Sequence, residues 1–295
     1  MNKIDIHADD YALSNNSDND ILELLEQGSL TSISIIPNLE IFNTASQKFL
    51  QLKHKLNKNI NVSVHLNFME GKSCAAKNLL PHLTDKNGFF NISWGKLFIF
   101  SYIPFLRKII KKELTIEITA QINKCLAAGV VSKESLRIDS HQHPHMIPLV
   151  FASLLQSLKE LKNDGVKIEY IRNTCDPILL YGLKNIFSMN TIKCQILNFY
   201  SKKVSRYLKK YGLYDSYLCG VYYSGKMDER IEKVLPLFIK KAQNKSRTLE
   251  LLFHPGTMLK SELTNEFTKE GFNDFHLSIN RHIEYEQVKK LSTQN

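Results

Sequence analysis

The sequence has few cysteines, and no two of them are close together. The five are odd in number and include no Cys-x-x-Cys pair: Cys74, Cys125, Cys175, Cys194 and Cys219. This spacing predicts neither a disulfide framework nor a zinc site built from thiolates. It favours the reducing environment of the cytoplasm.

Long apolar runs are also missing. The most apolar stretch, residues 97–110, is interrupted by Pro104 and is too short to span a bilayer. Acidic residues occur within the first ten positions, before any apolar run, so the sequence predicts no secretory signal. With 8 Pro and 12 Gly in 295 residues and no low-complexity tract, we expect an ordered globular protein.

Negative charge is in the minority, with 29 acidic against 39 basic residues and a formal net charge of +10. Such an excess can indicate nucleic acid, a membrane surface or an acidic glycan as a partner. Here the lysines are dispersed, and no basic motif interleaved with aromatic residues is present. The pattern therefore favours a solvated surface, and no nucleic-acid partner is expected.

Short apolar segments alternate with helical patterns along the chain. Strands are predicted at 3–7, 29–36, 61–66, 136–138, 166–171, 217–221 and 248–253. Helices are predicted after Ser14 and at 43–50, 113–128, 148–161, 190–211, 226–241 and 281–291. This order predicts a parallel α/β fold, and we interpret residues 1–295 as a single-domain, deformed or incomplete βα barrel.

One long segment breaks the alternation. Residues 67–95 are irregular and longer than most connections in compact domains, which indicates a substrate loop. Residues 97–110 predict a helical pair that packs on the core or on a second subunit, or an interfacial element that reaches a lipid-linked substrate. We expect a substrate-loop and helical insertion at about 67–112, with a homodimer or a peripheral membrane contact as open alternatives.

A histidine cluster lies at the centre of the chain. Three of the ten histidines, His141, His143 and His145, occupy alternate positions behind Asp139. In an extended segment these four side chains would share one face. Because histidine is the most common metal ligand and titrates near neutrality, the cluster predicts a metal or proton-transfer site. A solvated loop is the alternative.

Further polar residues fall at the ends of predicted strands. In a βα barrel the carboxyl ends of the strands converge on one rim, so residues distant in sequence meet there. One carboxylate and two imidazoles from separate strands can bind a divalent cation and leave positions for water and substrate. We assign this role to Asp10, His65 and His141. Zinc suits the nitrogen-rich set, and magnesium, which prefers oxygen, is the alternative.

The remaining strand-end residues have candidate catalytic roles. Asp9, adjacent to Asp10, can act as general base, although an Asp-Asp pair alone more often caps a helix or a turn. His254, before Pro255 and Gly256, is a candidate acid for the leaving nitrogen or else a turn histidine. Arg172 could orient Asp9, bind a substrate oxygen or form a salt bridge at the rim. His143 and His145 could line the pocket or orient His141.

Four segments of this sequence resemble the ordered motifs of the YdjC/ChbG/HpnK family of carbohydrate deacetylases. They are His-Ala-Asp-Asp-Tyr-Ala-Leu-Ser at 7–14, Val-His-Leu-Asn at 64–67, Ile-Asp-Ser-His-Gln-His-Pro-His-Met at 138–146 and His-Pro-Gly at 254–256. The resemblance implies a deformed βα barrel, a divalent metal held by Asp10, His65 and His141, and removal of an acetyl group from an N-acetylated amino sugar. Similarity to the broader metal-dependent polysaccharide deacetylases implies Asp9 as base and His254 as acid.

The first motif departs from the family pattern. The family usually has Asn-Ala-Asp-Asp-Phe-Gly, whereas this chain has His7, Tyr11 and Ala12. The additional imidazole of His7 could alter the pKa of Asp9 or contact the metal. The predicted substrate is an oligosaccharide, a sugar nucleotide or a lipid-linked glycan. Alternatives are a metal-dependent hydrolase of another bond, such as a phosphoester, and a non-catalytic anion-binding protein.

Overall fold

A seven-stranded parallel sheet forms the centre of the protein in the computed structural model, which describes residues 4–182 and 189–293. Its strands, which are largely buried as is usual for parallel sheets, follow the order β5-β4-β3-β2-β1-β7-β6. They are β1 (Ile4–Tyr11), β2 (Ser32–Ile35), β3 (Asn61–Leu66), β4 (Leu136–Ser140), β5 (Ile168–Ile171), β6 (Ser216–Cys219) and β7 (Thr248–Phe253).

Helices lie between the strands in sequence, with two more after β7, and pack around the sheet. Within the described residues they are α1 (Asn15–Glu26), α2 (Phe42–Leu56), α3 (Trp94–Phe100), α4 (Pro104–Ala127), α5 (Pro148–Asn163), α6 (Met189–Lys210), α7 (Arg230–Asn244), α8 (Glu270–His276) and α9 (Asn280–Thr293). In the part of the chain that is described, no helix has the length and apolar character required to cross a membrane.

The two edge strands of the sheet, β5 and β6, approach each other and nearly close a barrel. The Tyr170 hydroxyl lies 3.0 Å from Ser216 Oγ, and the Leu218 amide donates a hydrogen bond of 3.0 Å to the Cys175 carbonyl. The fold is therefore an incomplete α/β barrel, which confirms the fold class expected from the sequence.

The first strand is longer than the sequence pattern predicted. The predicted strand ended at residue 7, before the two aspartates, but β1 continues to Tyr11 and carries both aspartates in its buried final part. The positive φ angles of Asp10 (68°) and Ala12 (69°) mark its end. The prediction was wrong because it assumed that polar residues are exposed. These two carboxylates are buried, and each is paired with basic side chains.

The segment between α2 and β4 also differs from the prediction. The patterns at 97–110 and 113–128 suggested a helical pair followed by a separate helix. The structure has the short α3 and then one continuous helix, α4, that begins at Pro104. Proline is well suited to the first turn of a helix, where its missing N–H donor has no intrahelical partner. Helix α8 was not predicted.

Candidate active site

Three predicted ligands converge at the carboxyl ends of β1, β3 and β4. Asp10, His65 and His141 are buried, and each offers one ligand atom within 4.8 Å of the others. His141 Nδ1 lies 2.8 Å from Asp10 Oδ1, and His65 Nε2 lies 3.4 Å from the same oxygen. The parallel sheet therefore brings together side chains that are far apart in sequence, as strand-end convergence predicts.

A buried carboxylate supports the second nitrogen of each imidazole. His65 Nδ1 donates a 2.6 Å hydrogen bond to Asp139 Oδ1, and His141 Nε2 lies 3.2 Å from Glu70 Oε2. Metal-ligating histidines usually have such a partner, which fixes the ring and its tautomer. His65 Nε2 is buried without a hydrogen-bond partner. This donor set fits a divalent cation at Asp10, His65 and His141.

Two residues of the last two helices, His276 and Arg281, also contact this group of side chains. His276 Nε2 lies 3.0 Å from Glu70 Oε2, and the His276 ring stacks on His141 with centroids 6.0 Å apart. Arg281 Nη1 lies 3.1 Å from Asp10 Oδ2, and Arg281 Nε donates a 2.6 Å hydrogen bond to the Gly256 carbonyl. Helices α8 and α9 therefore help to position the ligands.

The charges of this group shift the pKa values of its members. Burial opposes protonation of His65, but Asp9 and Asp139 outweigh it and raise the pKa of His65 to about 10. Likewise, Asp10 and Glu70 raise the pKa of His141 to about 9 against the effect of burial. Burial opposes the ionised form of Glu70, yet His141 and His276 lower its pKa to about 2. The carboxylates of the group are therefore ionised, and a cation would displace the protons of His65 and His141.

Asp9 belongs to a buried ion network with Arg172. The two terminal nitrogens of Arg172 bind the two oxygens of Asp9 at 2.9 and 2.8 Å. Arg172 also contacts Glu250 Oε1 at 2.6 Å and Asp139 Oδ2 at 3.0 Å. Burial disfavours the charged form of Asp9, but Arg172 and His65 lower its pKa well below the usual value. Arg172 thus fixes both the charge and the orientation of Asp9.

His7 contacts Asp9 and lies between β1 and β2. Its two ring nitrogens are each 2.6 Å from a serine hydroxyl, Ser32 Oγ and Ser34 Oγ, and Nε2 is 3.2 Å from Asp9 Oδ1. His7, Asp9 and Asp139 form a second group close enough to hold a cation. The Arg172 guanidinium pairs with both of these carboxylates, so a cation in this group would lie next to a fixed positive charge.

The three clustered histidines do not share one face. The prediction that their alternation places them on one side of an extended segment is therefore wrong. Strand β4 ends at Ser140, and Gln142 and His143 both have φ of 63°, which turns the chain. His145 points into the interior, where Nδ1 meets Ser140 Oγ at 2.5 Å and Nε2 meets the Arg172 carbonyl at 2.9 Å. Of the two later histidines, His143 reaches the cavity described next.

A cavity of about 230 Å³ adjoins His141. His254 lies in its wall, with its amide donating a 2.6 Å hydrogen bond to Glu284 Oε2 and its ring edge-on to Phe275, centroids 5.2 Å apart. His254 Nδ1 is buried without a hydrogen-bond partner. The described lining comprises His141, Gln142, His143, Asn190, Lys193, Ser224, His254, Gly271, Phe272, Phe275 and His276.

Sequence reasoning missed several residues of this site. Asp139 was part of the predicted histidine cluster but was given no role of its own, and Glu70 was missed although it lies only three residues after the motif that ends at Asn67. His276 and Arg281 had no such signal, because only the tertiary fold brings α8 and α9 to the end of β1. The buried acids Glu250 and Glu284 were not singled out either.

The chain matches a known protein family over almost its full length. The family model described as YdjC-like protein matches residues 3–292. The chain belongs to the YdjC-like protein family. The match covers nearly all of the chain and includes the motifs at 7–14, 64–67, 138–146 and 254–256.

Curated relatives of this YdjC-like chain are named carbohydrate deacetylase. The relative from Brevibacillus brevis is 28% identical over 160 residues, which are 54% of this chain and 57% of that protein. The relative from Vibrio campbellii is 26% identical over 165 residues, 56% of this chain and 60% of that protein. The chain therefore spans somewhat more than half the length of these relatives.

A crystal structure from Enterococcus faecalis V583, described provisionally as that of a cellobiose-phosphate cleavage protein, has the same fold. It aligns with 100% of this chain and 95% of its own length at a TM-score of 0.62 and 18% sequence identity. At this identity the likeness shows the fold alone.

Proposed function

We propose that this chain is a metal-dependent carbohydrate deacetylase that hydrolyses the acetamido group of an N-acetylated amino sugar. The observation that carries the proposal is the group Asp10, His65 and His141, in which each imidazole has its own buried carboxylate partner. Zinc suits two nitrogens and one oxygen, and magnesium is the alternative. When bound, the cation polarises the amide carbonyl and makes water more acidic.

Asp9 is the proposed general base. It lies beside the metal group, with Asp9 Oδ2 3.7 Å from His65 Nε2, and Arg172 holds both of its oxygens. Its low pKa keeps it ionised and able to accept a proton. Because its pKa is low, Asp9 is a weak base. It can therefore accept a proton from water that a bound cation has made more acidic.

His254 is the proposed general acid for the leaving nitrogen. It lines the same cavity as His141, and its Nδ1 lies 3.7 Å from Glu284 Oε2, so Nε2 is the nitrogen proposed to serve a substrate atom. The hydrogen bond from its amide to Glu284, together with the ring contact to Phe275, fixes its position. His143 is proposed to line the substrate site and His7 to support Asp9, whereas His145 supports the turn that presents His141.

Acetate release from chitobiose and from N-acetylhexosamines tests this function. We expect acetate from at least one sugar, loss of release with a chelator and recovery with added Zn²⁺ or Mg²⁺. His65→Ala should abolish release, while His82→Ala is the matched control because His82 pairs with Glu113. Absence of metal-dependent acetate from every such sugar would contradict the proposal.

Exposed apolar residues of α3, α4 and α6 support a peripheral membrane contact, which we include in the proposal. Phe105 is 73% exposed and Phe199 69% exposed, and the Tyr102 and Tyr200 hydroxyls join the two regions. Lysines flank them in sequence, which suits an anionic lipid surface. The lysines are Lys96, Lys108, Lys202 and Lys203.

Co-sedimentation with anionic liposomes tests this contact. We expect the unmodified protein to co-sediment, and Phe105→Ser to reduce the bound fraction several-fold because it removes an exposed apolar anchor. Failure of the unmodified protein to co-sediment would contradict the membrane contact. If size-exclusion chromatography then shows a dimer that Phe105→Ser dissociates, the surface is a homodimer interface instead.

The proposal also includes the cellular compartment of the protein. All five cysteines are free, which supports a reducing compartment, and we assign the protein to the cytoplasm.

The described lining of the cavity includes no residue from 71–112, although Glu70 contacts His141. We retain the single domain with an insertion at about 67–112 as a prediction.

A further inference from the structure

A second group of potential metal ligands adjoins the first and shares one residue with it. Glu70, His141 and His276 are buried, and each offers one ligand atom within 4.8 Å of the others. His141 belongs to both groups because its two ring nitrogens point in different directions. Nδ1 lies 2.8 Å from Asp10 Oδ1, and Nε2 lies 3.2 Å from Glu70 Oε2. The ring therefore lies between two positions at which a cation can be held.

Two imidazole nitrogens converge on one oxygen of Glu70. His276 Nε2 lies 3.0 Å and His141 Nε2 lies 3.2 Å from Glu70 Oε2. The two rings stack with centroids 6.0 Å apart and an interplanar angle of 28°, which places the two nitrogens side by side. Two imidazole nitrogens and one carboxylate oxygen form a donor set that suits zinc.

The backbone around Glu70 is fixed by the loop after β3. The Glu70 amide donates a 3.2 Å hydrogen bond to Asn67 Oδ1. The Glu70 carbonyl accepts hydrogen bonds from Asn67 Nδ2 at 3.1 Å and from Asn38 Nδ2 at 2.8 Å. His276 is held at the end of α8, where its carbonyl accepts a 3.3 Å hydrogen bond from the Met258 amide. Ligands that are held in place before binding lose little conformational freedom when a cation arrives.

Glu70 has no lysine or arginine partner in the part of the chain that the structure describes. Its ion-pair partners there are His141 and His276. The ammonium of Lys269, at the start of α8, donates instead to two backbone carbonyls at 2.5 and 3.0 Å. His141 Nε2 is buried without a hydrogen-bond partner. A metal ion that enters this group therefore displaces no lysine or arginine and meets a ring nitrogen with unused capacity.

The group can be reached from the cavity of about 230 Å³, because His141 and His276 both line it. We propose that Glu70, His141 and His276 form a second, weaker metal site for zinc or a similar transition-metal ion, and that His141 bridges this ion to the first. Nitrogen ligands favour such ions over magnesium. The site is weaker because two cations on one ring repel each other and because the bridging ring must release its Nε2 proton to water.

An ion at this second site should inhibit the proposed deacetylation, and this consequence alone rests on the proposed function. The ion would occupy part of the cavity wall and would take Glu70 away from its support of His141. Because the site is weak, it should lose its ion during purification and fill only when zinc is in excess. We therefore expect zinc beyond the first equivalent to lower acetate release several-fold.

Equilibrium dialysis of the untagged protein against rising zinc concentrations tests the site. We expect about two zinc ions per chain at saturation, the second bound at least about 10-fold more weakly than the first. His276→Phe keeps a ring to stack on His141 but removes the ligand nitrogen, so it should bind only the first ion. The matched control is His282→Phe, because His282 is an exposed histidine that stacks on Tyr285, and it should bind both ions.

The outcomes of this measurement are distinct because it needs no turnover. A single ion at saturation in the unmodified protein, or two ions in folded His276→Phe, would overturn the inference. Two ions that depend on His276, without acetate release from any sugar, would keep the second site and reject the deacetylase proposal. A single ion with acetate release would do the reverse. Unchanged acetate release with both ions bound would reject the inhibition.

Discussion

At the scale of single residues, Glu70 and Asp139 decide how the two imidazoles face the candidate metal position. Each carboxylate holds the nitrogen that does not face Asp10. The sequence predicted the three ligands because their residue types and strand-end positions are visible in it. The sequence did not predict the supporting role of these two carboxylates, because aspartate and glutamate are equally common in turns and on surfaces.

Loss of one supporting carboxylate should weaken metal binding. In Glu70→Gln the amide cannot hold His141 and His276 by charge, so we expect about 10- to 100-fold lower metal affinity. Competition with a chromophoric chelator measures this. Glu113→Gln is the control, because Glu113 is also a buried glutamate paired with a histidine, His82. Equal affinities in the two variants would show that Glu70 does not support the ligand.

Metal affinity should rise with pH. In the absence of a cation, the pKa values of His65 (about 10) and His141 (about 9) keep both rings protonated at neutral pH. A cation competes with these protons, so affinity increases as pH rises from 6 towards 9, and binding near pH 7 releases up to about two protons. Calorimetry in buffers of different ionisation enthalpy counts them. Affinity that does not change with pH would contradict the assigned ligands.

Removal of the proposed base gives a separate prediction. Asp9→Asn keeps the size of the side chain but cannot accept a proton, so we expect kcat to fall by about 10²- to 10⁴-fold. Metal content should change little, because Asp9 is not one of the three ligands. Steady-state kinetics with metal analysis of the same samples measures both. A variant with normal kcat would remove Asp9 from the mechanism.

At the scale of elements, the loop after β7 joins the site to α1. Gly256 has a φ of 92°, and a Cβ at this position would lie 2.6 Å from the Ser17 carbonyl oxygen. The Gly256 carbonyl also receives the hydrogen bond from Arg281. The sequence showed a tight turn at His-Pro-Gly, but the contact with α1 depends on packing that no local pattern reveals.

Gly256→Ala should be more destabilising than an otherwise similar change. Gly165→Ala is the matched control, since its φ is 84° and a Cβ there meets nothing within 4 Å. Backbone strain alone costs about 1 kcal/mol in both variants, and the clash with α1 adds to it only at Gly256. Urea unfolding measures the difference. Equal losses in the free energy of unfolding would show that the structure accommodates a Cβ beside α1 without a further cost.

At the scale of the whole molecule, a buried ion network fills the interior of the incomplete barrel. Arg172 is fully buried, and its contacts reach Asp9 from β1, Asp139 from β4 and Glu250 from β7. The sequence predicted the barrel from its alternating strands and helices. It did not predict a charged interior, because pattern reasoning places charges at the surface.

Arg172→Met should destabilise the fold strongly. It leaves three buried carboxylates without their shared cation, and breaking a buried pair costs about 3–5 kcal/mol. Arg230→Met removes an arginine with a single carboxylate partner, Asp228, near the surface, where an ion pair contributes about 1 kcal/mol or less. Thermal and urea unfolding of both variants compare the two. Similar stabilities would mean that the network is not required for the fold.

The central claim is that Asp10, His65 and His141 hold one divalent cation. Metal analysis of the purified protein by mass spectrometry, with His65→Ala, His141→Ala and His82→Ala in parallel, tests it most directly. The account predicts about one zinc or magnesium ion per chain in the unmodified protein and in His82→Ala, and almost none in the other two variants. Retention of the ion by folded His65→Ala and His141→Ala would contradict it.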